Sequence, residues 1–350
     1  MTIFDLVQSE AVVAYWEELT QDRPPYLFES LFPADKKLGL DLSYIKGSSG
    51  LPVVLKTSAF DVKAIPRGRI GFDKMQAEMP FFKESLYIDE KLRQELNMVL
   101  QTGNQAYIDA VMNRVFADEV QLLEGAKATR ERMRAMAVTT GALTLASNGQ
   151  AYDYDYNVPA GHKFTEEDFN TADFDICSYI NEVLDKIEDD TGVRPDRGIC
   201  SRDQLNKIMQ NSILKKNIYV LTNGVGTINS RTAIDYIREQ TGVTLEIYTK
   251  RYKDENKVTQ SFVTDNLLVL IPSGNLGTTW FGTTPEESDL MSGSAANVSI
   301  TDTGVAVTTI KHEDPVNVET KVTMICLPSF EMADQIAIID TTPTQTELGG

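Results

Sequence analysis

Reactive side chains are scarce in this sequence. Its 350 residues hold two histidines, His162 and His312, and three cysteines, Cys177, Cys200 and Cys326. The cysteines are far apart with no C-x-x-C pair, which excludes a zinc signature or a disulfide framework and suits a reducing cytoplasm. Each histidine lies in a loop-like stretch with Pro or Gly nearby, and no G-x-S-x-G or H-E-x-x-H pattern supplies a catalytic partner. Two surface histidines without a role is the expectation. Positive charge is short as well: 33 Lys and Arg stand against 51 Asp and Glu, a formal charge of −18. A dedicated nucleic-acid binder carries a basic footprint, so that class is excluded, while solubility and repulsion of polyanions are favoured. Long apolar runs are missing. Leu267 to Pro272, LLVLIP, is among the greasiest stretches and has only the length of a strand. Asp5 and Glu10 stand where a signal peptide needs basic residues and then an apolar run. A soluble protein, intracellular when made, is expected.

What is present is ordinary in amount and unusual in arrangement. Apolar content of 42% and charged content of 24% fit a folded globular chain, and the length favours two domains over one. The central stretch runs from Leu51 to Ile88, two extended arms about Pro66-Arg67-Gly68-Arg69. Lys56, Asp61 and Lys63 on the first arm, and Asp73, Lys74, Glu78, Lys83 and Glu84 on the second, interrupt the apolar residues. A two-stranded hairpin is marginal alone in water, so this one must lie on its own domain or on another molecule.

Around it, residues 3–19 read as a helix with Thr2 and Asp5 as a capping box, docked on its own domain or on a partner. Residues 27–50, broken by Pro33, Gly39 and Gly47, read as an arm crossing a surface. Residues 104–137 read as one long helix of about 50 Å, with Gly125 its weak point. Asn148-Gly149 is a two-residue hairpin turn. From Thr165 to about 290, strand and helix signals alternate, with IYVL (218–221) taken as a strand, giving an α/β or α+β domain. Strands return after Met291, and the tail from Thr341 to Gly350 reads as loose.

Two stretches imitate binding motifs. Asn223-Gly224-Val225-Gly226-Thr227-Ile228-Asn229, with Glu246 downstream, resembles a dinucleotide loop, but Asn229 replaces the third glycine and Glu246 sits inside its strand. A nucleotide-binding enzyme built on Gly224 and Gly226 is the alternative it leaves open. Asp153, Asp155 and Asn157 imitate half a calcium loop, yet Val158 and Phe164 occupy the glycine and glutamate positions, so an alternating strand is preferred. No catalytic residue, cofactor or metal is assigned, and an enzyme is not expected.

Four passages, in order, carry a family resemblance: Leu31 to Pro33 with Lys36-Lys37; Leu51 to Leu96; Gly277 to Glu286, GTTWFGTTPE; and Lys311 to Asp340. Together they resemble the lambda-type major capsid protein family of tailed bacteriophages. The resemblance implies the α+β Hong Kong ninety-seven capsid fold: an N-terminal arm (1–50), an extended-loop hairpin (51–88) and a peripheral domain with a long spine helix (89–164). An axial domain (165–290) and C-terminal strands returning to the peripheral domain, with a loose tail (291–350), complete it. It implies an icosahedral shell of hexamers and pentamers enclosing double-stranded DNA without sequence-specific binding. Implied partners are further copies of the chain, a scaffolding protein, a portal protein at one vertex and a decoration protein, with no membrane. The location implied is the virion, after synthesis in the bacterial cytoplasm. An encapsulin-like compartment shares the fold but is less favoured, because no cargo-docking feature can be named. The intersubunit contacts expected are Arg67, Gly68 and Arg69 at the hairpin tip, Phe72, Phe81 and Phe82 on its arm, and Phe4 and Trp16 on the first helix.

Overall fold

The computed structural model describes residues 8–45 except 22, 74–88, 90–98 in part, 105–165, 169, 173–221, 228–290, 296–314 and 316–342. In chain order the first elements are α1 (Ser9–Thr20), α2 (Leu27–Leu31), β1 (Ala34–Lys36), β2 (Asp41–Ile45), β3 (Lys74–Glu78), β4 (Phe81–Ile88) and α3 (Gln105–Thr140). Next come β5 (Ala142–Ser147), β6 (Gln150–Asp155), β7 (Lys163–Thr165), α4 (Ile176–Thr191), β8 (Arg197–Cys200), α5 (Arg202–Gln210), α6 (Ser212–Leu221) and α7 (Ser230–Thr241). The chain continues through β9 (Thr244–Ile247), β10 (Arg251–Lys253), β11 (Thr259–Ser261), β12 (Leu267–Ile271) and β13 (Thr279–Phe281). It ends with β14 (Asn297–Thr301), β15 (Val305–Glu313), β16 (Val316–Pro328) and β17 (Ala337–Asp340). It divides into one unit of residues 1–43, 76–134 and 278–329 and a second of 44–75, 135–277 and 330–350.

The first unit is built on a sheet ordered β1-β13-β16-β15-β14, with β4 also paired to β16. Strand register sorts its side chains into two faces. Thr320 lies opposite Thr309 and Leu86, and Thr309 opposite Asn297, so these share one face. Lys321 lies opposite Thr308 and Ser85 on the other. The first face meets helices: the Ser9 amide of α1 donates to Asn297 at 2.9 Å, and Thr320 donates to Glu119 of α3 at 2.7 Å. The second is covered in part by the turn at Glu286–Leu290, whose Glu286 reaches Lys321 and Thr323.

The second unit holds a sheet ordered β7-β17-β12-β8-β9. All five residues of its middle strand, β12, are buried, which explains a run too apolar to alternate. Helix α4 starts at Asp175, which accepts the amides of Cys177 and Ser178, and buries Ile176, Ile180, Val183, Leu184 and Ile187 on one stripe. Helices α4 and α7 end alike, in Thr191-Gly192-Val193 and Thr241-Gly242-Val243. Each threonine hydroxyl donates back four residues, to Ile187 at 2.6 Å and Ile237 at 2.7 Å. Each glycine takes a left-handed backbone, φ 77° and 79°, that a side chain would resist. Asn148 and Gly149 adopt φ 50° and 75°, the turn their sequence demands between β5 and β6.

Several expectations need correction. IYVL is the end of α6 and not a strand, because Leu214 and Ile218 recur at helical spacing and are buried. The loop with Gly224 and Gly226 therefore follows a helix, and its central residues 222–227 lie outside the described part. Glu246 is engaged by Arg197 at 2.9 Å. Residues 337–340 join the second unit's sheet beside β12 instead of returning to the first. His162 is not at the surface: it is 2% exposed and its Nε2 lies 3.2 Å from Asp190.

Candidate assembly surface

The second arm of the expected hairpin divides at Pro80. Lys74–Glu78 pairs with Asp41–Ile45 as a separate ribbon, whereas Phe81–Ile88 joins the first unit's own sheet against β16. The outer part of that arm is therefore anchored by backbone hydrogen bonds within the same chain. Phe82 lies opposite Met324 and Phe81 opposite Ile325. Phe81 is 42% exposed and Tyr87 is 56% exposed, both on the face away from the helices. Between them stand Lys83 and Ser85, and opposite Tyr87 lies Glu319.

Around Tyr87 the surface is both aromatic and polar. The Tyr87 and His312 rings lie 6.2 Å apart, and His312 Nε2 is 2.8 Å from Glu319. Burial alone would raise the Glu319 carboxyl, but hydrogen bonds from His312, Ser85 and Tyr87 outweigh it and hold it below the ordinary range. Glu319 is thus an ionised hub among three donors on a half-exposed sheet face. The face thus sets two large exposed aromatic groups beside a hydrogen-bonded carboxylate.

Buried charges fix the frame behind this face. Phe28 of α2 donates its amide to Glu131 of α3 at 3.1 Å, and Glu131 is fully buried. Arg134 donates to the Thr279 hydroxyl at 2.8 Å, which in turn donates to the Phe32 carbonyl at 3.1 Å. Arg130 meets Asp302 at 2.6 Å and lies over the Phe281 ring. Helix α3 thereby holds the segment from Tyr26 to Lys36 along β13, where β1 pairs in parallel. Their burial was not legible in a sequence rich in charge, because nothing in their spacing distinguishes a buried ion pair from a solvated one.

Of the contact residues expected from sequence, Trp16 is 1% exposed and packs into its own unit, so its side chain is not on offer. Phe4, Arg67, Gly68, Arg69 and Phe72 lie outside the described residues. Phe81 is brought to the outer face, whereas Phe82, next to it on the strand, takes the opposite face with Leu86 and is half-buried. The cysteines are poor nucleophiles: burial, with Asp175 adding to it at Cys177, pushes Cys177 and Cys200 up to about 12, and burial pushes Cys326 up to about 11. Among the described residues no group of three or more His, Cys, Asp or Glu is placed to hold a metal, and no helix is long and apolar enough to cross a membrane.

A family model described as phage major capsid protein E matches residues 9–340. No curated protein matches the sequence. Among solved structures, a putative capsid protein of a prophage of E. coli CFT073 is similar at 15% identity and a TM-score of 0.62, covering 95% of this chain and 99% of that one. A phage-related protein from Bordetella bronchiseptica RB50 is similar at 13% identity and a TM-score of 0.54, covering 95% and 98%. The capsid asymmetric unit of cyanophage A-1(L) is similar at 9% identity and a TM-score of 0.52, covering 91% and 92%. At these identities the likeness is one of fold.

Proposed function

The chain belongs to the phage major capsid protein E family, and from that premise we propose how its copies make a shell. It is a structural major capsid protein with the Hong Kong ninety-seven capsid fold, and its copies assemble into the virion capsid. The observation that carries this reading is a family match over residues 9–340, nearly the whole chain. That match favours a phage shell over an encapsulin-like compartment.

The finer reading is ours. The first unit acts as the peripheral domain and the second as the axial domain around the capsomer axis, in hexamers and pentamers. Residues 51–80 reach a neighbouring copy, with Arg67 and Arg69 making forked contacts to its carboxylates. Glu319 and its surroundings are the kind of surface such arginines fit, flanked by the apolar Phe81 and Tyr87. Such contacts join unlike patches, which close into rings and shells when the rotation allows. Assembly around a scaffolding protein, a portal at one vertex and an outer decoration protein complete the scheme. The net charge of −18 keeps enclosed DNA from adhering to the lumen. Synthesis in the bacterial cytoplasm suits three buried, free cysteines.

The double substitution Arg67→Glu/Arg69→Glu tests the strap. Circular dichroism of the subunit should be unchanged while sedimentation shows particles lost. Normal particles from that variant would refute the contact and leave the family assignment standing.

A further inference from the structure

Among the described residues three carboxylates are buried in the first unit, and two of them face cations: Glu286 meets Lys321, and Glu131 lies 3.7 Å from Arg134. Glu119 differs. It is 3% exposed on α3, and one oxygen accepts from Thr320 at 2.7 Å while the other has no hydrogen-bond partner. No cation among the described residues pairs with it. The cross-strand neighbour of Thr320 on the same sheet face is Thr309, fully buried, whose hydroxyl oxygen also lacks a partner. A helix carboxyl and a sheet hydroxyl are therefore both left unmet at one helix–sheet contact.

Ionised, Glu119 is an acceptor only, with one neutral donor in a dry site, which is costly. Protonated, it carries no charge into the dry site and keeps the Thr320 hydrogen bond. We propose that Glu119 and Thr320 form a proton-linked joint between the long helix and the sheet, closed while the carboxyl keeps its proton and loosened as it ionises. The surrounding charges do not relieve the ionised form. Asp118 beside it on α3 opposes ionisation. On the sheet face, Lys311 of β15 and Glu84 of β4 are exposed at the rim. From α1, Tyr15 stacks on Phe116 at 5.6 Å and Glu17 reaches Thr301. Burial, with Asp118 adding to it and the Thr320 hydrogen bond opposing it, pushes the carboxyl up to about 7.

A raised carboxyl stabilises fully below its ordinary range, and that stability is lost as pH rises towards the folded value and then levels off. Local opening of the joint should thus grow about tenfold between about pH 6 and 9. The test uses the full chain. Infrared titration should show a protonated carboxyl band at pH about 6 that disappears by about pH 8.5, and the band should be absent from Glu119→Gln. Hydrogen exchange of residues 115–123 and 318–322, corrected for intrinsic rates, should rise with pH in the native chain and stay flat in that variant. Where Glu119→Gln does not fold, Thr320→Val serves: removing the donor that favours the ionised form should move the band's loss to higher pH. A native chain without the band at pH about 6, a Gln variant with the native pH response, or a Thr320→Val titration identical to the native one overturns the proposal.

Discussion

Replacing Lys321 with methionine removes a cation from one of the driest ion pairs in the molecule. Lys321 and Glu286 are 7% and 4% exposed, their charged atoms are 2.7 Å apart, and the second Glu286 oxygen accepts from Thr323 at 3.1 Å. The pair fastens the turn at Glu286–Leu290 to the outer face of the sheet. Lys321→Met leaves a buried carboxylate with one neutral donor, a loss of about 3–5 kcal/mol. Lys321→Met/Glu286→Leu removes both charges and should return to within about 2 kcal/mol of the native chain. Urea unfolding followed by circular dichroism reads both values, and the coupling comes from the double-mutant cycle. Acid sharpens the test. Burial alone would raise the Glu286 carboxyl, but the hydrogen bond and charge of Lys321, with Thr323, hold it below its ordinary value. Its contribution is therefore present above the ordinary carboxylate range and lost as pH falls through the lower folded value. The deficit of Lys321→Met should accordingly shrink in acid, because its unpaired buried carboxyl regains stability on protonation while the native pair loses it. A single substitution costing less than about 1 kcal/mol, or a double costing the sum of the two singles, would refute the reasoning.

Two further substitutions probe the frame. Thr279→Val breaks the relay from Arg134 to the Phe32 carbonyl, leaving both buried groups short of a partner. A loss of about 1–3 kcal/mol is expected, with faster proteolytic cutting between Tyr26 and Lys37. Gly304→Ala places a Cβ 2.6 Å from the Phe281 side chain, close to its ring attachment, where no flexible end can give way. The expected cost is about 1–3 kcal/mol, read as a lower thermal midpoint.

Local chemistry was legible wherever a residue acts on its own backbone. The long helix ends at Thr140, and Asn148-Gly149 makes its turn, because glycine, capping residues and helical spacing work within a few positions. IYVL was misread since four apolar residues fit a strand or a helix end equally, and only burial of Leu214 and Ile218 decides. Whether the extended stretch before Ile88 lies on its own domain or on another molecule stayed open, because nothing near it in sequence names β16 as its partner. The surface gave less. Of the aromatics expected at contacts, Phe81 is exposed, Phe82 is half-buried and Trp16 is turned inward, a difference their sequence neighbours do not show. Glu119, Glu131, Glu286 and Lys321 were invisible among so many charges, since burial is a property of the fold and not of their neighbours in the chain.

The central claim is that copies of this chain close into a shell. Electron microscopy of the full chain, expressed alone and with a scaffolding protein, tests it most directly. Isometric particles of uniform diameter, built of the chain itself, are the predicted result. A folded protein that stays monomeric under both conditions, or forms only open sheets and fibres, would contradict the account.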